Sequence, residues 1–221
     1  MTVESAPLGI AMEGLEDAIA RHVCRLCLTF QEVTYLEIGV AAGGTLTAIA
    51  SMLNSWRGDG FKWRAIGVEL PDGYSYDGQG LIQNGVSRDV DVEFFRELHP
   101  SGKFDPRWGA VSVYFTGSQS LLEGSWDQPI HLALIDGCHG KKCATMDFLL
   151  LEPWIAPGGI VMFHDIEEGQ VGAYQPHCGT LDVIGAVRDL GLFENKRDGW
   201  EFVEIAESKP TNADMGIFRK T

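Results

Sequence analysis

The sequence predicts one α/β domain over residues 1–221, an open and mostly parallel sheet with helices on both faces. Short apolar runs of strand length alternate with segments of helical period. The first of these runs, YLEIGV at Tyr35–Val40, passes through a glycine-rich turn, AAGG, directly into helix-forming sequence. The first run carries Glu37 and several later runs end in acidic residues, and an open parallel sheet binds its ligands at the carboxyl ends of its strands.

The elements follow in order. Residues 12–30 read as an N-terminal helix, with Leu15, Ile19, Val23 and Leu26 on one face. Thr34 to Val40 is too short and too uniformly apolar for a surface helix, so it is a buried strand; Thr45 to Trp56 carries Leu46, Ile49, Ala50 and Leu53 at helical spacing. Lys62 to Leu70 is the next strand, and Pro71 ends it. Residues 71–100, rich in Gly, Tyr and Asp, break the pattern; they read either as an active-site insertion with Tyr74, Tyr76, Leu81 and Ile82 forming a lid, or as an irregular surface loop.

Further strands are expected at Val111–Thr116, His131–Asp136 and Gly159–His164, with a helix around Lys141–Leu150. Pro157, Gly158 and Gly159 read as a tight turn feeding the last of these strands. Leu181–Leu190 is another helix, and Trp200–Ile205 and Met215–Arg219 are closing strands whose short polar connection suits an antiparallel pair.

Composition narrows the function. The 45% hydrophobic content supports a continuous core, and a net charge of −14 argues against nucleic acid or an anionic membrane as partner. Cys24, Cys27, Cys138, Cys143 and Cys178 are irregularly spaced and read as thiols; Cys24 and Cys27 lie in helical sequence, where burial on one face accounts for them. With no basic leader and no long apolar run, a cytoplasmic protein is the default expectation.

The chemistry gathers at the strand ends. Gly39, Gly43 and Gly44 would let backbone pass close to a nucleoside-like cofactor, Glu37 can reach its polar groups, and Glu69 can accept from ribose hydroxyls. LALIDGCHG places Asp136 and His139 within one turn, and GGIVMFHDIEE sets His164 and Asp165 at the neighbouring strand end. Such a cluster can hold a divalent ion such as Mg²⁺, with His139 taking a hydroxyl proton. Alternatively, Asp136 caps its loop, His139 is an ordinary loop histidine and His164 a packing residue. Glu167 and Glu168 are expected to face solvent, Asp147 and Glu152 to be surface or cap residues, and Tyr174, His177 and Cys178 to line the substrate side.

Together these segments resemble the class I S-adenosylmethionine-dependent methyltransferases, and more narrowly the macrocin O-methyltransferase and cephalosporin-hydroxylase-like small-molecule group. ExGxxxGG at Glu37–Gly44 resembles the cofactor loop, Glu69 the ribose-binding acid, and Gly117 with Ser118 the loop beside the adenine; IDGCHG and PGGIVMFHD are the more discriminating segments. The resemblance implies a Rossmann-like, seven-stranded sheet in the order 3-2-1-4-5-7-6 with the last strand antiparallel. It further implies S-adenosyl-L-methionine bound by Glu37, Gly39, Gly43, Glu69, Gly117, Ser118 and Asp136, and His139 and Asp136 as catalytic residues. Asp136, His164 and Asp165 stand at the positions of a metal site, although relatives that use a metal often have an acid where this chain has His164. The expected activity is O-methylation of a small hydroxylated molecule, a sugar or a catechol-like diol, by a chain that forms homodimers in the pattern of the family. The competing expectations are a non-enzymatic scaffold on the same sheet, a nucleic-acid methyltransferase disfavoured by the acidity, and an NAD-dependent oxidoreductase, whose GxGxxG spacing Gly39, Gly43 and Gly44 do not match.

Overall fold

The computed structural model describes residues 15–40, 43–56, 60–69, 74–76, 81–83, 109–115, 118, 122, 126–168, 171–172, 174–175, 179–208 and 214–221. Its strands are β1 (Glu32–Ile38), β2 (Lys62–Glu69), β3 (Tyr74–Tyr76), β4 (Leu81–Gln83), β5 (Gly109–Phe115), β6 (Ile130–Ile135), β7 (Ile155–Phe163), β8 (Tyr174–Gln175), β9 (Gly179–Thr180), β10 (Trp200–Ala206) and β11 (Met215–Lys220). The described helices are α1 (Glu16–Thr29), α2 (Gly44–Ser55), α3 (Lys141–Leu151) and α4 (Val183–Asp189). Seven strands form one sheet in the order β10-β11-β7-β6-β1-β2-β5.

The expectation of a mostly parallel sheet is corrected at one edge. β5, β2, β1, β6 and β7 pair in parallel, but β7–β11 and β11–β10 are antiparallel, so the sheet is mixed. The short polar connection after β10 reverses the chain, and β11 enters between β10 and β7. Two small antiparallel sheets, β3–β4 and β8–β9, stand apart from it. The first puts a hairpin within the expected insertion; most of residues 71–100, together with residues 12–14 of the expected first helix, lies outside the described residues.

A second correction concerns β7, which begins at Ile155 rather than Gly159. Pro157, Gly158 and Gly159 lie inside the strand as an irregularity, where β6 advances from Ile130 to Leu132 while β7 advances from Ile155 to Ile160. Gly158 has φ +79°, and a Cβ on Gly159 would lie 2.8 Å from the Ala156 carbonyl. The glycines therefore serve a strand bulge, where the sequence suggested a turn before the strand.

Period-two alternation along the strands divides the core. Val33 and Tyr35 of β1 face α1 and α2 with Leu26, Leu46, Ile49 and Leu53, whereas Leu36 and Ile38 face α3 and α4 with Phe148, Ala186 and Val187. α1 buries Ile19, Val23, Leu26 and Cys27 and leaves Cys24 exposed, so the burial expected of its CxxC thiols holds for Cys27 and is corrected for Cys24, which lies at the edge of the buried face. On the second side, Phe163 packs edge-on against Phe218 at 5.8 Å, and Lys220 donates to the Glu152 and Ile155 carbonyls, securing β11.

Candidate functional site

Register builds the site. Val68, Ile38, Ile135 and Phe163 are aligned across β2, β1, β6 and β7, so the residues that follow them emerge together at the carboxyl edge: Glu69, Gly39, Asp136 and His164. The pairing continues one step beyond the strands, with Gly39 N donating to Val68 O, Asp136 N to Ile38 O and His164 N to Ile135 O, at 2.9, 2.9 and 3.1 Å. The chain fixes these positions by backbone bonds before any side-chain chemistry enters.

On the β1–β2 side the acids are tied inward. Glu69 accepts from the backbone N–H of Val40 at 3.0 Å, bracing the entrance to the glycine turn. Glu37 is buried and accepts from the Tyr35 hydroxyl at 2.6 Å, because residues two apart on a strand share a face. Burial pushes the Glu37 carboxyl well above its ordinary range, and the nearby Asp136 and Glu69 charges add to this, while the Tyr35 hydrogen bond opposes it. The sequence had aimed Glu37 at a ligand; here its described bond is to Tyr35, a partner that the two-residue spacing could have revealed.

Gly39 and Gly43 have separate uses. Gly39 has φ +87°, and a Cβ there would meet the Asp136 carbonyl at 2.3 Å and Gly137 Cα at 2.5 Å. Its lack of a side chain lets the β1 and β6 ends touch. Gly43, with φ +79°, is the left-handed residue that starts α2, and its carbonyl accepts from Thr47 N at 3.0 Å.

On the β6–β7 side the acids are tied to imidazoles. Asp136 Oδ1 lies 3.2 Å from His139 Nε2 and 3.0 Å from His164 Nδ1, while Asp165 Oδ2 lies 2.8 Å from His139 Nδ1. Asp165 adopts a left-handed backbone, φ +57°, a region that Asp visits more readily than most residues. The His164 ring is almost fully buried, whereas the side chains of His139 and Asp136 retain 21% and 17% of their exposure and can meet a ligand. Burial pushes the His139 pKa down, but its contacts to Asp136 and Asp165 outweigh that and carry it up to about 10. Burial likewise raises Asp136, and the two histidines more than reverse it, leaving the carboxyl below its usual value.

A strap crosses this cluster. Asp182 N donates to the His139 carbonyl at 3.1 Å, and Gly140 bridges to Leu181, so Leu181, Asp182 and Val183 help wall a crevice with His139, Asp165, Glu167 and Val171. Asp182 also caps α4 by accepting from Gly185 N at 2.9 Å. Residues so distant from His139 in sequence gave no local signal of this contact.

The remaining expected residues divide. Ser118 donates to Asp147 Oδ1 at 2.6 Å. Asp147 is therefore buried, not a surface residue, and burial pushes its carboxyl up to about 6 against the Ser118 bond. Glu152 closes α3 and accepts from Arg197 and the Trp200 indole. Glu168 is exposed, but Glu167 is half-buried and accepts from Asp214 N at 3.0 Å. Gly117, His177 and Cys178, like the Tyr174 side chain, lie outside what is described.

The family whose description is "Methyltransferase domain" matches residues 36–166, more than half of the chain, from the second half of β1 to just past the end of β7. Similar folds occur in the O-methyltransferase TomG from Streptomyces achromogenes, solved with S-adenosylmethionine, at 12% identity over 93% of this chain and 80% of that one, TM-score 0.59. The O-methyltransferase from Bacillus cereus in complex with S-adenosylhomocysteine aligns at 13% identity over 99% and 84% of the two chains, TM-score 0.59. The N-methyltransferase NodS from Bradyrhizobium japonicum WM9, also with S-adenosylhomocysteine, aligns at 14% identity over 94% and 88%, TM-score 0.53. No curated protein matches the chain in sequence. At these identities the solved structures speak for the fold, and they include both oxygen and nitrogen methylation.

Proposed function

We propose, from the premise that the chain belongs to the methyltransferase-domain family and is an S-adenosylmethionine-dependent enzyme, that it methylates a hydroxyl oxygen of a small molecule. The observation that carries this reading is the pairing of two different strand-end clusters in one row. Glu69, Gly39 and Gly43 frame the glycine turn on the β1–β2 side, and the partly exposed Asp136 and His139 stand beside it in the loop after β6. Glu37, Gly39, Gly43, Glu69, Gly117, Ser118 and Asp136 are the proposed cofactor residues, with Glu37 acting through the shape of the strand end because its carboxylate is held by Tyr35. The acceptor oxygen attacks the cofactor methyl carbon in line; the new O–C bond forms as the S–C bond breaks, and the acceptor proton passes to the partly exposed Asp136 carboxylate and on to solvent. Alignment and electrostatics supply most of the assistance.

His139 and Asp136 are the proposed catalytic residues, with one change from the sequence expectation. A neutral imidazole at 139 would be a ready general base, but two flanking carboxylates raise its pKa to about 10, so the ion-free site holds an imidazolium at neutral pH. In that state both ring N–H groups are committed, Nε2 to Asp136 and Nδ1 to Asp165, so His139 orients the Asp136 carboxylate beside the acceptor, and a lone pair becomes available only when a proton is displaced. The Mg²⁺ that the sequence allowed does not suit the donors present. Asp136, His139 and His164 bring one carboxylate and two imidazoles together, and Mg²⁺ prefers oxygen ligands. No step is assigned to Mg²⁺.

The narrower resemblance to the macrocin and cephalosporin-hydroxylase-like group supports a sugar or catechol-like acceptor. The test is titration of the folded protein with S-adenosylmethionine, followed by transfer of its labelled methyl group to matched panels of hydroxylated compounds and amines. Label in the hydroxyl panel is expected. Label in amines alone overturns the oxygen assignment, and folded protein that binds no S-adenosylmethionine overturns the enzyme reading.

A further inference from the structure

We infer that Asp136, His139 and His164 form a binding site for a borderline divalent transition ion, of the class of Mn²⁺, Fe²⁺, Co²⁺ and Zn²⁺, which the site selects over Mg²⁺, with Asp165 as the positioning residue that orients His139. This deepens the proposed function and rests on it only for the site's place beside the acceptor. The first ground is the donor set. One ligand atom from each of the three residues lies within 4.8 Å of the other two, and Asp136 Oδ1 is 3.0 Å from His164 Nδ1 and 3.2 Å from His139 Nε2. Ligand atoms on an ion with bonds of about 2.0–2.2 Å are separated by roughly such distances, and the mixed imidazole and carboxylate chemistry suits borderline ions.

The second ground is the far side of the His139 ring. With Nε2 turned to the cluster, Nδ1 lies 2.8 Å from Asp165 Oδ2. A histidine that binds a metal through one nitrogen characteristically donates the N–H of the other to a carboxylate, which fixes the tautomer and the plane of the ring. Asp165 reaches that nitrogen from a left-handed backbone at φ +57°, directly after His164. At the end of β7, His164 Nδ1 lies 3.0 Å from Asp136 Oδ1 and 3.3 Å from Asp165 Oδ1, while the other Asp165 oxygen, Oδ2, holds His139. The sequence expectation of Asp165 as an ion ligand is thereby replaced by an outer position. The strap at Leu181 and Asp182 holds the His139 carbonyl and closes one wall of the crevice.

The test uses the full chain stripped of metal and dialysed against Mn²⁺, Co²⁺ or Zn²⁺ in the presence of a large excess of Mg²⁺. Bound metal is counted by elemental analysis, and the Co²⁺ form is examined for visible ligand-field bands. Stoichiometric retention of a transition ion is expected, with bands characteristic of nitrogen and oxygen ligands. The Asp165→Asn variant should weaken binding by roughly 10–100-fold while leaving some retention, as loss of an outer partner does. His164→Asp, which keeps a ligand and makes the set harder, should shift the preference toward Mg²⁺; circular dichroism checks that each variant is folded. No retention of any transition ion by the folded parent chain, or retention unaffected in His164→Asp and Asp165→Asn alike, overturns the inference and leaves a cluster of ion pairs. S-adenosylmethionine titration of the same metal-free protein keeps the two readings separate. Cofactor binding without metal selection removes only the metal, and metal selection without cofactor binding removes only the proposed function.

Discussion

The two halves of the strand-end row each hold two carboxylates and dispose of them in opposite ways. At β1 and β2, Glu37 and Glu69 are bound to a tyrosine hydroxyl and a backbone N–H, groups that never change charge at working pH. At β6 and β7, Asp136 and Asp165 are bound to imidazoles, groups that do. The difference teaches that burial of an acid at a strand end does not by itself mark reactive chemistry; the identity of the partner does. One half is a frame of fixed charge, and the other is a set of groups that exchange protons, which is where the proposed acceptor would be met.

The largest effect is expected where the halves touch. Gly39→Ala places a Cβ against the Asp136 carbonyl from a left-handed backbone, and neither the β1 nor the β6 end can yield without losing strand register. A destabilisation of roughly 3–5 kcal/mol is expected, read as a fall in the urea midpoint; a midpoint unchanged from the parent would mean that the two halves are not rigidly joined.

Asp147 sharpens the comparison as a buried acid whose hydrogen-bond partner among the described residues, Ser118, is neutral. Its folded pKa of about 6 exceeds the ordinary value of 3.8, so the folded state prefers the proton. The resulting penalty is absent below the unfolded pKa, grows as pH rises through the window between the two values, and is complete above about 6. Asp147→Asn, which keeps an acceptor for Ser118, is expected to stabilise the protein by up to about 3 kcal/mol at pH 8 and by about half that at pH 5. Urea unfolding at the two pH values checks it, and a gain independent of pH would remove the ionisation account.

Between the halves proper, His139→Asn should lower methyl transfer by about 100-fold at saturating cofactor, in the range typical of a lost acid–base group, with little change in cofactor affinity. Glu69→Gln should do the reverse. The amide oxygen still accepts from Val40, so the turn holds, but the lost charge should weaken S-adenosylmethionine binding by about tenfold, near 1.4 kcal/mol. Calorimetric titration and single-turnover transfer on both variants check the division, and matching profiles for the two variants would erase the distinction drawn between the halves.

Much of this was legible in the sequence because it is local. The run YLEIGVAAGG showed a strand followed by a glycine turn, and IDGCHG and FHD marked adjacent strand ends, since period and punctuation are properties of neighbouring residues. What escaped depends on distance or on face. Asp147 looked like a surface residue because its helix shows no sign in sequence of Ser118 packing over it, and the Asp182 strap reaches His139 only through tertiary pairing. The bulge at Pro157–Gly159 looked like a turn because glycine and proline serve both, and only the pairing of Ile155 with Ile130 separates them. The raised pKa of His139 was not legible because Asp165 meets its second nitrogen through the fold, not through spacing.

The smallest effect expected tests whether the β1–β2 half is a frame at all. Tyr35→Phe removes the hydroxyl that donates to Glu37 and leaves a buried carboxyl short of a partner, at a cost of about 1–2 kcal/mol. Glu37→Gln retains an acceptor for Tyr35 and abolishes the ionisation that burial and the neighbouring Asp136 and Glu69 resist. Because the folded carboxyl titrates above its ordinary range, the penalty it carries starts above the unfolded pKa and grows with rising pH, so this variant should be neutral at acid pH and increasingly stabilised toward alkaline pH. Opposite signs for the two variants in urea unfolding at pH 8 would show that the hydroxyl matters as a hydrogen-bond donor and the carboxylate charge does not. If Tyr35→Phe were silent while Glu37→Gln destabilised the fold, the Glu37 charge would be in use, and the chemical contrast between the two halves of the row would fail at its quieter end.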